Sequence, residues 1–248
     1  MTRRKRFILA ILVALGVLGF VGFVSLAVTL PDGTTLKTQY PVLKVMAATN
    51  QFRIEWSPTR PAHWARLDQI SQAARNAVMI SEDWAFYDHN GLDEKQILEV
   101  LENSLKSKRV RGASTISQQV AKNLYLSSER TLWRKFREVL LTFQLEAHCT
   151  KDRILETYLN IAEWGEDLYG ITGAARLYFE KSPADLTARE GAFLAMLLPS
   201  PKRYSKSFRE RALTPYALKM MNGILLKMLQ AHFLTQEEYD QALHERFW

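Results

Sequence analysis

Two adjacent carboxylates, Glu82 and Asp83, stand in the stretch "SEDWAFYDHNG" (residues 81–91), directly after an apolar segment. A carboxylate at the point where a buried helix meets a loop loses part of its hydration, and this makes it a better general base. His89 could hold one of the carboxylates in place by a hydrogen bond. The alternative is an acidic, solvated loop whose aromatic residues lie in the core.

A second stretch, "RGASTISQQVAKN" (residues 111–123), surrounds one ammonium group with neutral hydrogen-bonding side chains. At about 100° per residue, Gln118, Gln119 and Lys122 form a polar stripe beside an apolar helix face. Such a stripe suits a sugar or a phosphate ester, and the "RGA" turn before it offers backbone N–H groups to an anion. The alternative is that Thr115 and Gln118 only form a capping box that begins the helix.

A third stretch, "RTLWRKFREVLLTFQLE" (residues 130–146), places Arg134, Lys135 and Glu138 within about one helical turn. As an exposed ion pair, Arg134 and Glu138 would contribute about 0.3–0.5 kcal/mol. Arg before Glu is the weaker order for helix stabilisation. The three side chains could instead bind a diphosphate and a cation, and the residues alone leave both interpretations open.

The elements that must position these residues are predicted to be mainly α-helical beyond residue 65. After an apolar stripe at 67–78, helices are predicted at 93–105, 115–124, 132–148, 152–162, 168–179, 188–197, 216–229 and 236–245. Thr115/Gln118, Thr187/Glu190 and Thr235/Glu238 are predicted capping boxes. Weak strand character is predicted at 42–46. We predict a basic arm and membrane anchor at 1–30, a connector at 31–63 and a globular domain at 64–248.

The anchor is predicted from "RRKR" (residues 3–6) followed by 24 uncharged residues, 7–30. This length spans a bilayer core, and the cations before it place the N-terminus in the cytoplasm. A cleaved signal peptide is the alternative, although the apolar run is long for one.

The net charge of the chain is +7, and the arm holds four of these charges. The modest positive charge of the rest suggests that it meets anionic lipid or a phosphate-bearing substrate rather than nucleic acid. The single cysteine, Cys149, excludes an intramolecular disulfide framework.

Five motifs occur in order: "EDWAFYDHNG", "GASTISQQVAKN", "RKFRE", "ILETYLNIAEWG" and "LTAREGAFLAMLLPSP". With the anchor, they resemble the monofunctional biosynthetic peptidoglycan glycosyltransferases, which share their domain with class A penicillin-binding proteins. The resemblance covers residues 64 to about 204 and departs from the family pattern at Trp84, Ser117 and Gly191. It implies a lysozyme-like α fold with a small membrane-associated lobe.

The resemblance also implies that lipid II is polymerised into β-1,4-linked glycan, with inversion at MurNAc C1 and release of undecaprenyl diphosphate. Glu82 would take the proton from the acceptor's 4-hydroxyl, while Lys122, Arg134 and Lys135 neutralise the diphosphate. Glu138 would be the second catalytic carboxylate, acting directly or through a shared Mg²⁺ or Mn²⁺, with no organic cofactor. The other substrate-binding residues implied are Asp83, Phe86, His89, Ser114, Thr115, Gln119, Asn123 and Asn160.

The implied setting is the bacterial cytoplasmic membrane, crossed once, with the catalytic domain on the extracytoplasmic side. Partners would be lipid II, the growing glycan chain, the membrane, and other wall-synthesis and division proteins. A lytic enzyme that cleaves the same polymer is one alternative, because glycosidases also rely on Asp and Glu. An inactive membrane-anchored scaffold is another.

Overall fold

The computed structural model describes residues 3–46, 51–94, 98, 114–127, 129 and 131–247. The helix predicted at 93–105 lies almost wholly outside the described residues, and so does the "RGA" turn at 111–113. The predicted mainly α fold class is confirmed. The small membrane-associated lobe and the domain boundary at 63/64 stay predictions.

The helices lie close to where the sequence predicts them. Two have the predicted bounds, and most of the others begin or end one residue away, because their caps are local signals. Along the chain they are α1 (Arg3–Thr29), α2 (Gln72–Glu82), α3 (Ile116–Tyr125), α4 (Leu132–His148), α5 (Lys151–Ile161), α6 (Ile171–Phe179), α7 (Ala188–Leu197), α8 (Pro201–Tyr204), α9 (Lys206–Arg209), α10 (Pro215–Gln230) and α11 (Gln236–His244). The three predicted capping boxes are all present.

Two small antiparallel sheets accompany the helices. Strands β1 (Tyr40–Met46) and β2 (Gln51–Ser57) pair so that Leu43 lies opposite Ile54. The sequence predicted most of β1 but not β2. Strands β3 (Glu163–Gly165) and β4 (Leu168–Tyr169) form the second sheet, so the helix predicted from residue 168 begins only at Ile171.

The core forms where α7 packs along α2. A Cβ added to Gly191 on α7 would come within 2.7 Å of the Cα of Ala74 on α2, so the two backbones are in direct contact. A side chain at this position would press on the backbone of α2. Helix α5 also lies in the core, with Leu155 and Leu159 fully buried.

Helix α5 also ties down the segment that enters the globular domain. Both polar atoms of the Asn160 side chain bond to the backbone of Ala65, at 2.9 and 2.8 Å. Glu156 accepts from the indole of Trp64 at 2.7 Å and from the backbone N–H of Leu67 at 2.9 Å. Both side chains therefore have structural roles.

Helix α1 is 27 residues long, and its side chains are exposed wherever the structure describes them. By length and composition it could cross a membrane, so it fits a single-pass anchor. Arg137 on α4 donates to the backbone carbonyl of Thr29 at 2.7 Å. The end of α1 is thus held against α4.

Candidate active site

A cleft of about 800 Å³ lies between α3, α4, the end of α5 and the two small sheets. Its lining includes seven of the residues predicted from the sequence: Ser114, Gln119, Lys122, Asn123, Arg134, Lys135 and Glu138. The helical geometry of α3 explains part of this grouping, because residues three and four apart share a face. Gln119, Lys122 and Asn123 are spaced in this way.

Glu82 is the last residue of α2, and Gln119 connects it to the cleft. The Gln119 side-chain N–H donates to Oε2 of Glu82 at 2.9 Å. The hydroxyl of Tyr158, on α5, donates to Oε1 of the same glutamine at 3.1 Å. Glu82 therefore accepts a hydrogen bond from a neutral donor that itself lines the cleft.

Asp83 follows Glu82 but points into the protein, with only 3% of its surface exposed. Its Oδ2 accepts the backbone N–H of Ile116 at 2.9 Å, at the start of α3, where a negative charge is favourable. Its Oδ1 lies 2.9 Å from Nε2 of His89. Because Nδ1 of His89 accepts the backbone N–H of Gly91 at 3.1 Å, Nε2 carries the proton and donates to Asp83.

Thr115 joins α3 to the same loop. Its hydroxyl donates to the carbonyl of Gly91 at 2.7 Å and accepts the backbone N–H of Gln118 at 3.2 Å. Gly91 has a φ of +93°, and a Cβ added there would come 2.7 Å from Cγ2 of Thr142 on α4. We call Glu82, Asp83, His89, Gly91, Thr115 and Gln119 the α2–α3 junction.

A second cluster lies on the first two turns of α4. Nη1 of Arg134 donates to Oε2 of Glu138 at 2.6 Å, while Lys135 donates to Oε1. The Glu138 side chain is only 3% exposed, so the interpretation of Arg134 and Glu138 as a surface ion pair is wrong. Lys135 also donates to the hydroxyl of Ser114 at 3.4 Å. We call Arg134, Lys135 and Glu138 the α4 charge cluster; its formal charge is positive.

The α4 charge cluster does not fit the divalent cation suggested at Glu138. Each oxygen of Glu138 already accepts from a cation, and a metal ion there would face both. Across the described ranges, no group of three or more His, Cys, Asp or Glu side chains could hold a metal ion. The described residues give no support to a cation shared with a diphosphate, and this cation stays a prediction.

Several predicted site residues do not line the cleft. Phe86 is buried beneath the ammonium group of Lys151, which lies 4.5 Å from the ring centroid. Asp83, His89, Thr115 and Asn160 lie behind the cleft wall, where their side chains bond to backbone groups or to one another. The structure thus separates the residues that can touch a ligand from those that support them.

The cleft also includes residues that the sequence analysis missed. Tyr158 reads as a core residue in an apolar helix, and Glu163 and Tyr169 belong to the unpredicted sheet of β3 and β4. Burial raises the pKa of Glu163, and burial followed by the nearby charge of Glu163 raises the pKa of Tyr169 to about 12. The polar groups of "EWGEDLY" were the only signal for this wall.

Comparison with known proteins agrees with the motifs. The Transglycosylase family model matches residues 50–228. The biosynthetic peptidoglycan transglycosylase of Aeromonas hydrophila is 43% identical over 179 residues, which are 72% of this chain and 74% of that protein. The protein of the same name from Aromatoleum aromaticum is 46% identical over 149 residues, or 60% and 65% of the two chains. Penicillin-binding protein 1A of Neisseria gonorrhoeae is 40% identical over 184 residues, 73% of this chain but 22% of its own length.

The match to Aromatoleum aromaticum thus spans slightly less than two thirds of that relative's length, and the match to Aeromonas hydrophila slightly more. The family model itself covers well over half of this chain. The resemblance seen in the five motifs is confirmed. The chain belongs to the transglycosylase family, among the relatives named biosynthetic peptidoglycan transglycosylases.

Proposed function

We propose that this protein polymerises lipid II into β-1,4-linked glycan strands of peptidoglycan, with inversion at MurNAc C1 and release of undecaprenyl diphosphate. The observation that carries the proposal is the pairing of two different groups at one cleft. Gln119 lines the cleft and donates to the carboxylate of Glu82. The same cleft is lined by Lys122 on α3 and by Arg134 and Lys135 on α4. The names of the relatives support the same activity.

In this mechanism Glu82 takes the proton of the acceptor's 4-hydroxyl, and the oxygen attacks C1 of the donor sugar. The C1–O bond to the diphosphate breaks, and the diphosphate leaves with the electron pair, so no acid is needed. Lys122 forms no ion pair with the residues that the structure describes, and its ammonium group is available to the departing anion. Cations aimed at charge that develops in the transition state usually supply the largest catalytic term.

The lytic alternative is not favoured, because a polysaccharide cleaved by hydrolysis offers no diphosphate to Lys122, Arg134 and Lys135. The scaffold alternative is not favoured either, since Glu82 and Glu138 are both present with intact hydrogen-bond partners. No step of the mechanism passes through a metal ion.

We further infer that α1 is a single-pass anchor in the cytoplasmic membrane, with the catalytic domain outside. The cations at residues 3–6 before the apolar span support this orientation. A reporter fused to the C-terminus should be active only outside the cytoplasm. A soluble, N-terminally processed protein in cells would contradict the anchor.

The activity is tested with the full-length protein in detergent and purified lipid II. The wild type should form a lipid-linked glycan that muramidase digests, together with free undecaprenyl diphosphate. Lys122→Ala should lower kcat about 10²–10³-fold and change KM less, because the lost contact acts mainly in the transition state. Lys219→Ala removes an exposed lysine of α10 and serves as the matched control. Cleavage of preformed peptidoglycan, at equal rates in wild type and Lys122→Ala, would replace the polymerase by the lytic enzyme.

A further inference from the structure

Three helices are joined by one line of hydrogen bonds that ends at Glu82. The hydroxyl of Tyr158 on α5 donates to Oε1 of Gln119 on α3 at 3.1 Å. Nε2 of Gln119 then donates to Oε2 of Glu82 on α2 at 2.9 Å. The primary amide in the middle has two different faces, and only one of them can donate to a carboxylate.

The side chain of Tyr158 acts as the hydrogen-bond donor in this line, because its hydroxyl is neutral and carries a proton. The side chain is 1% exposed. Burial, and then the charges of Glu82 and Asp83, raise the pKa of Tyr158 well above its usual value. The phenol therefore keeps its proton. A buried hydroxyl must place that proton on an acceptor, and here the acceptor is Oε1 of Gln119.

We propose that Tyr158 is a positioning residue for Glu82: it holds the amide of Gln119 with the N–H side toward the carboxyl through the whole catalytic cycle. The inference rests on the proposed role of Glu82 as the base. When Glu82 has taken the acceptor's proton, its O–H would be stabilised if Gln119 rotated and offered its oxygen. Rotation would deprive the Tyr158 hydroxyl of its acceptor, so the amide stays in place. The N–H then continues to favour the ionised carboxyl, and the proton passes on to solvent.

Charged side chains of the described residues lie on several of the elements that pack near Glu82. Asp83 is paired with His89, and Lys122 lies one turn beyond Gln119 on the cleft side. The charged residues of α7, which packs along α2, are at its first turn near Ala74: Arg189 donates to the Ala242 carbonyl and Glu190 pairs with Lys181. The lysines of α10, which also contacts α2, are exposed: Lys219 and Lys227. Tyr158 and Gln119 are the neutral groups that the described hydrogen bonds connect to Glu82.

The test is Tyr158→Phe, which keeps the ring and removes the hydroxyl. The free amide can then rotate and stabilise protonated Glu82, so the acid limb of the kcat–pH profile should move up by roughly one unit. At neutral pH kcat should fall by up to about tenfold while KM changes little. Tyr178→Phe is the matched control, because this buried tyrosine also donates to an oxygen, the Trp164 carbonyl at 2.8 Å. It should lose comparable thermal stability without moving the acid limb.

A double-mutant cycle separates positioning from packing. Gln119→Met has a similar shape but no amide, so Tyr158→Phe should neither lower kcat nor shift the acid limb further in that background. An equal loss in both backgrounds, or an acid limb that Tyr158→Phe leaves in place while wild type polymerises lipid II, would overturn the proposal. Failure of the wild type to polymerise lipid II would instead refute the proposed function.

Discussion

The α2–α3 junction and the α4 charge cluster each hold a carboxylate beside the same cleft, but they stabilise it by opposite means. At the junction Glu82 faces a neutral amide, and the charge of Asp83 is met by a backbone N–H and by His89. In the cluster Glu138 is buried between two full positive charges. The hydrogen bond that the structure shows at Glu82 comes from a neutral amide, whereas both oxygens of Glu138 balance the charge of cations. The surroundings, more than the residue type, separate a base from a charge-balancing group.

The largest expected effect comes from Glu82→Gln, which keeps the side-chain shape but removes the basic oxygen. Lipid II polymerisation should fall about 10²–10⁴-fold, the range of general-base catalysis. Glu237→Gln, at an exposed site on α11, is the matched control. Near-normal turnover by Glu82→Gln would show that the base lies elsewhere, and the comparison between the two carboxylates would fail.

Glu138→Gln should act on stability as much as on rate. Removing the charge leaves Arg134 and Lys135 facing each other near a buried amide. Because the Lys135 side chain is 43% exposed, the loss should stay below the roughly 3–5 kcal/mol of a fully buried ion pair. The free energy of unfolding, measured by denaturant titration, should fall accordingly. Glu146 lies on the same helix as Glu138 but outside the cleft, and it forms a buried ion pair with Lys151 at the start of α5. Glu146→Gln breaks this pair, and the KM of the variant for lipid II should stay unchanged. If Glu138→Gln is as stable as wild type, the cluster is not held by charge.

The smallest effect is expected for Thr115→Ala. The structure uses this hydroxyl to begin α3 and to bind the Gly91 carbonyl, so the variant should lose about 0.5–2 kcal/mol of stability. Thr115→Ser keeps the hydroxyl and should restore most of it. A raised KM in Thr115→Ala, with unaltered thermal unfolding, would instead place the hydroxyl on the substrate.

Features set by neighbours in the chain were predictable, and those set by distant partners were not. The capping box of Thr115 and Gln118 needs only four consecutive residues, and it lies where predicted. Strand β2 pairs with β1, and β3 with β4, and such short segments give no periodic signal in the sequence. For the same reason the predicted start of α6 at residue 168 is wrong, and the helix begins at Ile171.

The candidate site divides in the same way. The helical period placed Gln119 and Lys122 on one face, and both line the cleft. It could not separate Gln119 from Gln118, whose side chain is used in the cap. Nor could it show that Asn160 bonds to Ala65, or that the hydroxyl of Tyr158 reaches Gln119, because both contacts depend on how α5 packs.

Gly91 has a consequence for how the two regions tolerate change. With no side chain, its loop lies directly against Thr142 and Glu146, on the same helix as the charge cluster. Any larger residue would have to displace the side chains of Thr142 and Glu146, or α4 itself, in addition to straining the backbone. A displacement of about 1 Å between reacting groups can cost roughly 100-fold in rate. The absence of a side chain at position 91 therefore lets the loop that follows the proposed base lie against the helix that carries the cations.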